Sequence, residues 1–184
     1  MVILIYLGSN KGIPVDATHI ETGNPGVGGA QYCMLQLAHY LYGNTDFSIV
    51  VLAHRQFVLE DGISFVEVQE ISDVCTTAIE LSTDIFILNQ LENKELECAI
   101  SSQNKFKVIK WSHNTILSQT CRFIEETPQV KCNVFVGKQQ YDRYIDDNVI
   151  EKSTYIYNMY YDRNLKIKRK NDCRTVVYMG AIVP

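Results

Sequence analysis

Short, wholly apolar runs recur along this chain, and helix-like stretches fill the intervals between them. Val2–Leu7, Ile49–Ala53 and Ile85–Leu88 are continuous rather than alternating, so a strand built from them must be buried on both faces. Between them lie segments with helical spacing. Met34, Leu37, Ala38 and Leu41 fall at i, i+3, i+4 and i+7, which predicts a helix over 30–42 with Gly43 as its stop. Ser72 or Asp73 is suited to cap a helix running to about Leu81. Further helices are expected over 91–101 and 118–126, with a turn or two over 139–145. Strands are expected at 47–53, 63–68, 84–88, 106–111, 134–136 and 153–157. Residues 9–27 show no periodicity and read as a long loop.

Buried strands alternating with helices predict a mainly parallel sheet of about six or seven strands covered on both faces. This is a doubly wound, Rossmann-like α/β fold. A chain of 184 residues suits one such domain with a short extension. The expected division is a domain over 1–163, a basic linker over 164–173, and the first strand of a second domain over 174–184.

A net charge of -4 argues against a general nucleic-acid binder. The apolar runs are far shorter than the roughly 20 residues of a membrane span, and the first residues lack the pattern of a signal peptide. Six scattered cysteines with no CxxC pair read as reduced thiols, and the expected compartment is cytoplasmic. Cys121 and Cys132 are the closest pair in sequence. The basic run Lys166, Lys168, Arg169 and Lys170 makes peripheral contact with acidic lipid conceivable, though such charges are more often simply solvated.

In a parallel sheet the ligand crevice lies beyond the carboxyl ends of the strands. Two constellations fall there. The first is Gly23-Asn-Pro-Gly26-Val-Gly28-Gly29-Ala30, opening the first helix. Exposed amides at a helix start attract anions, and glycine lets a phosphate approach the backbone. No Gly-Lys-Ser/Thr follows, which excludes a P-loop. The long preceding loop and the Ala53-His54 pair, where a ribose-binding acid would stand, argue against a dinucleotide site. The second is Trp111-Ser-His113-Asn114-Thr115. A histidine there faces the crevice, where imidazole can hydrogen-bond a hydroxyl or move a proton. His19 (in the long loop), His39 (on the outer part of the first helix) and His54 (at a strand end) have weaker claims. Neither a Gly-x-Ser-x-Gly elbow nor a zinc-binding HExxH is present. The tyrosines at 155, 157, 160 and 161 read as a surface packed on a neighbouring domain.

The order of these motifs resembles a known family. Gly28-Gly29-Ala30 opening a helix that ends Leu41-Tyr-Gly43, then Ile49-Val-Val-Leu52, resembles the first third of GT-B glycosyltransferases of the retaining family 4 (glycosyl transferases group 1). Asp84-Ile-Phe-Ile-Leu88 is similar to that family's fourth strand, and Val108–Asn114 to its acceptor-side strand and histidine. Val134-Phe-Val136, the segment bearing Tyr141, and Tyr155-Ile-Tyr-Asn158 resemble the close of its first domain. Thr175–Pro184 resembles the first strand of its second. Gly137 stands where the family usually has serine, and the family's paired-glutamate segment would lie beyond Pro184.

The resemblance implies the N-terminal, acceptor-side half of a hexosyltransferase-like enzyme, inactive without its C-terminal domain. Its donor would be a nucleotide-diphosphate sugar, and transfer would retain configuration without a metal or other cofactor. Gly28 and Gly29 would hold the donor diphosphate, and His113 would be the catalytic residue that contacts the donor sugar or aligns the acceptor. Asn114 and Thr115 would face the acceptor, a glycan, lipid or small molecule, while Asn158 would be a structural turn near the hinge. The alternatives are a Rossmann-like binding or assembly module without catalysis, and another nucleotide-using doubly wound enzyme.

Overall fold

The structure, a computed structural model, describes residues 1–89 and 94–158. Seven strands form one sheet with every neighbouring pair parallel. They are β1 (Val2–Tyr6), β3 (Ser48–Ala53), β5 (Ser64–Glu67), β6 (Ile85–Leu88), β7 (Lys107–Ser112), β8 (Val130–Phe135) and β9 (Ser153–Tyr155). β2 (Val15–Asp16) and β4 (Phe57–Val58) pair separately as a small two-stranded sheet. The main order is β5-β3-β1-β6-β7-β8-β9. The chain winds outward from β1 in one direction, then returns to the other side of it. The reversal therefore falls between β1 and β6.

Why the apolar runs are continuous is visible in the packing. Leu4 and Tyr6 point to one core, with Leu52, Phe86 and Leu88. Ile3 and Ile5 point to the other, with Ile49, Val51 and Ile87. The first core is closed by α2 (Ile71–Glu80), α3 (Lys94–Ser101) and α4 (Ser118–Glu126), through Val74, Ala78, Leu96, Ile100 and Ile124. The second is closed by α1 (Gly29–Asn44), through Cys33, Met34, Leu35 and Ala38. Helices on both faces of a parallel sheet make this a doubly wound, Rossmann-like fold.

Several sequence expectations need correction. Residues 9–27 are not a plain loop: they contain β2 and a 3-10 turn at Ile20–Thr22, and Val15, Ala17 and Ile20 are buried beside α1. α1 consequently buries more of its circumference than one stripe. His39 lies inside rather than on the outer part of the helix, with Nδ1 2.9 Å from Glu60 Oε2. Gly43 does not stop α1, which runs on to Asn44; the Thr45 hydroxyl then bonds the Leu41 carbonyl at 2.7 Å. α2 is capped by Glu70 and not by Ser72 or Asp73; Asp73 contributes as the third helical residue, its carboxylate accepting from the Glu70 amide at 3.3 Å.

β8 starts four residues before the strand expected at 134–136. A register shift between β7 and β8 pairs Val108 with Val130 but Ile109 with Cys132, skipping Lys131. This bulge resets the alternation and turns Asn133 and Phe135 toward the helix-rich core. Among the described cysteines, 33, 75, 98, 121 and 132 are free thiols, and burial pushes Cys75 up to about 11. Among the described residues, no helix is long and apolar enough to cross a membrane. The expected linker at 164–173, the second-domain strand at 174–184, and Cys173 lie outside the described residues.

Candidate functional site

The carboxyl edge of the sheet carries two regions. At the first, the chain reaches α1 through a shaped loop. Asn24 Oδ1 accepts from the Gly26 and Val27 amides at 3.0 and 2.8 Å, and Asn24 Nδ2 donates to the Val27 carbonyl at 2.9 Å. Gly26 takes the left-handed φ of +90° that this turn requires. Gly28 is the N-cap of α1, with φ −62° and ψ 150°, and no side chain caps the helix. A Cβ placed on Gly28 or Gly29 would meet nothing within 4 Å. The glycines are thus not demanded by internal packing; they leave the first-turn amides open to space.

A cation is held beside that opening. Gln31, in the first turn of α1, is buried; its Nε2 donates to the Leu7 carbonyl at 2.9 Å. Its Oε1 accepts from Arg55 Nη2 at 3.0 Å, and the Arg55 guanidinium lies 5.1 Å from the centre of the Phe57 ring. Arg55 lies two residues beyond β3, so its place at the carboxyl edge was readable in the sequence. Its link to Gln31 was not, because only the fold brings α1 against the end of β1. Nearby, the Tyr6 hydroxyl and His54 Nε2 are 2.9 Å apart, both residues buried, with His54 Nδ1 3.2 Å from the Gln69 carbonyl. These bonds lock His54 into the packing of the strand ends.

The second region is a cleft of about 650 Å³. One bank is the loop His113, Asn114 and Thr115 after β7; the other is the turn from β8 into α5 (Lys138–Asp142), with Arg143 and Tyr157 closing the ends. Gln140 ties the banks together. Its Nε2 donates to the Asn114 carbonyl at 2.5 Å, and its Oε1 accepts from the Val136 amide at 3.2 Å. Tyr144 anchors the same loop from below, bonding both the amide and the carbonyl of Ile116 at 2.8 and 3.0 Å.

His113 is half-buried against Trp111, the ring centres 4.9 Å apart. Its Nε2 is shielded from solvent and has no hydrogen-bond partner among the described residues. Burial first, and the Lys110 charge second, push its pKa down to about 4. His113 is therefore a neutral imidazole at physiological pH. Lys110 lies buried on the opposite face of β7, its Nζ donating to the Asn89 carbonyl at 2.8 Å and to Ser112 Oγ at 3.1 Å. Ser112 Oγ in turn donates to Asn133 Oδ1 at 2.6 Å, and Asn133 Nδ2 to Ser153 Oγ at 3.3 Å. This chain runs from the end of β7 through Asn133, within β8, to Ser153, the first residue of β9, and the bulge in β8 is what brings Asn133 into it.

The sequence-predicted residues thus separate into two groups. His113, Asn114 and Thr115 line one cleft; Gly28 and Gly29 do not line it but open at the start of α1 on the same edge. β1 and the strand leading to His113 do not flank the reversal together, because β6 lies between them. The offset is two strand spacings, roughly 10 Å. Gln31, Arg55, Lys110, Arg143 and Tyr157 were missed. Arg55 lies close behind a predicted strand and Tyr157 in the tyrosine cluster, but neither belongs to a chemical motif; only topology assigns Gln31, Lys110 and Arg143 to the edge. Among the described residues no group of three or more His, Cys, Asp or Glu side chains could hold a metal ion.

Fold and site together define a Rossmann-like α/β domain with an open helix start and a separate cleft on one sheet edge. No protein-family model matches the chain, and no curated protein matches it significantly. Among solved structures it is similar to the crystal structure of a glycosyltransferase from Rickettsia africae ESF-5, with a TM-score of 0.51 at 12% identity. The alignment covers 85% of this chain and 42% of that one, so the chain spans less than half the length of that protein. At this identity the likeness establishes the fold.

Proposed function

We propose that this chain is the acceptor-side half of a retaining glycosyltransferase that uses a nucleotide-diphosphate sugar. The carrying observation is the uncapped start of α1, with Arg55 fixed beside it, on the sheet edge that also presents neutral His113. The motif order resembles GT-B enzymes of family 4, and the structural likeness to a glycosyltransferase supports the same reading. On this reading the donor diphosphate rests on the Gly28 and Gly29 amides and on Arg55, with no metal required. Negative charge grows on the diphosphate as the sugar departs, and preorganised amides and a guanidinium stabilise it more in the transition state than before it. A histidine with a pKa of about 4 is a weak base at neutral pH. Its part is therefore to orient a sugar hydroxyl through a neutral hydrogen bond. A complete donor site would need the second domain, so this half alone should bind donor weakly.

The test is an amide NMR titration of the chain with uridine, guanosine and adenosine diphosphates and their sugar derivatives. Shifts should concentrate at Gly28, Gly29 and Arg55, with millimolar dissociation constants, about −4 kcal/mol. Gly28→Val should abolish them. A nucleotide that moves no residue of the carboxyl edge at any accessible concentration sinks the transferase reading and favours a binding or assembly module.

A further inference from the structure

The cleft between the His113 loop and α5 has a lining unlike that of the α1 start. Three features bear on what it holds. Its volume of about 650 Å³ is in the range of small-molecule sites and would admit one or two sugar rings. Its outer wall is the ring of Tyr157, which is 66% exposed, set edge-to-face on Tyr155 with centres 6.0 Å apart. Gly137 lies under that ring: a Cβ there would come within 3.4 Å of Tyr157 Cε1. A fixed, exposed aromatic face beside exposed carboxamides (Asn114, Gln139) suits a sugar, whose C–H face stacks on the ring while its hydroxyls reach polar groups.

The third feature is charge. Lys138 is paired with Asp142 at 2.6 Å, so its charge is largely neutralised. Arg143 is exposed, and it forms no ion pair with a described residue. None of the described residues lining the cleft carries a carboxylate. A guanidinium binds phosphate or carboxylate through two parallel N–H donors. We propose that this cleft is the acceptor subsite and that its ligand is an anionic sugar, with the ring on Tyr157 and the phosphate or carboxylate on Arg143. This rests on the transferase reading for the word acceptor; the binding chemistry itself does not.

The opposite edge of the sheet supplies a built-in control. A second cleft, of about 470 Å³, carries Lys105, Lys107 and Lys131, but its aromatic residue, Phe106, is buried. It could attract anions without offering a stacking face. The experiment is an amide NMR titration of the full chain with glucose 6-phosphate, glucuronate, glucose and inorganic phosphate. Both anionic sugars, or one of them, should shift Asn114, Gly137 and Tyr157 and bind at least about tenfold tighter than glucose. Inorganic phosphate should bind more weakly than the phosphorylated sugar. Arg143→Gln should reduce the anionic sugars to the level of glucose, while Tyr157→Ala should weaken the sugars and leave inorganic phosphate unchanged. Both side chains are exposed, so circular dichroism should show both variants folded.

The proposal is overturned if glucose binds as tightly as the anionic sugars, if the shifts gather at Lys105, Lys107 and Lys131, or if folded Arg143→Gln keeps full affinity. The nucleotide titration of the same sample separates the two readings. Nucleotide binding at Gly28 without an anionic-sugar preference overturns this inference alone. Anionic-sugar binding in the cleft with no nucleotide binding upholds it and removes the transferase reading.

Discussion

At the scale of single residues, His113 carries a pH dependence with a definite sign. Its folded pKa is about 4 against an ordinary value of 6.5. As pH falls below about 6.5 the unfolded chain takes up a proton here, while the folded chain does not until about pH 4. Folding should therefore lose stability across that window, and His113→Gln should flatten the slope. Thermal melts of both proteins between pH 7 and 4.5 measure it; identical slopes would refute the buried, neutral assignment. A second residue-scale prediction concerns Gly62, which has φ +100°, and where an added Cβ would overlap the Tyr42 phenol. Gly62→Ala should cost about 1–3 kcal/mol in urea unfolding. Adding Tyr42→Ala should recover part of this and no more, because the backbone strain remains. The crevice position of His113 was legible in the sequence, but its low pKa was not, and nothing marked Gly62 as special. Gly62 belongs to an ordinary Asp-Gly turn, and the low pKa of His113 depends on Trp111 packing and on Lys110, three residues away in sequence on the other face of the strand.

At the scale of elements, α1 makes opposite demands on stability and on binding. Its N-cap is a glycine in an extended conformation that any residue adopts, with open space around it. An aspartate there could accept from the first-turn amides and complement the helix dipole. Gly28→Asp should therefore raise stability by a few tenths of a kcal/mol, and it should abolish nucleotide binding by placing a carboxylate where the diphosphate belongs. Urea unfolding and the nucleotide titration read the two effects. A variant that is no more stable yet loses binding would still support the anion site but not the capping account. The body of α1 was legible from the spacing of Met34, Leu37, Ala38 and Leu41, whereas its inward His39 was not. The pattern of the helix assumes one apolar partner, and here the β2–β4 side supplies a second. β8 shows the converse limit: its bulge at Lys131 breaks the alternation by which a strand is recognised, and the same bulge places Asn133 in the polar chain at the rim.

For the whole molecule, the continuous apolar runs together with the helical stretches between them pointed to a parallel sheet covered on both faces, and Ile3–Leu7 are indeed buried. Strand order was less legible: the reversal follows from which crossover passes which strand, and no local residue encodes it. That order makes a mechanical prediction. β1 pairs with β3 and β6 and is buried on both faces, so its amides open only when the domain does. Among the described residues β9 pairs with β8 alone, and Thr154 and Tyr155 are exposed. Native-state hydrogen exchange should therefore place Ile3–Tyr6, Val50–Leu52 and Phe86–Leu88 in the slowest class and β9 in the fastest. Phe86 packs edge-to-face on Phe106 at 5.4 Å and at a tilt on Tyr6 at 6.4 Å, within the larger core. Phe86→Ala should lower the protection of the slow class by about 3–5 kcal/mol, uniformly, since those amides exchange through global opening. The β9 amides should hardly change, because their opening breaks no contact of Phe86. An equal loss in β9 would mean that the rim carrying Tyr157 opens only with the core, and the independence of the sheet edge would have to be abandoned.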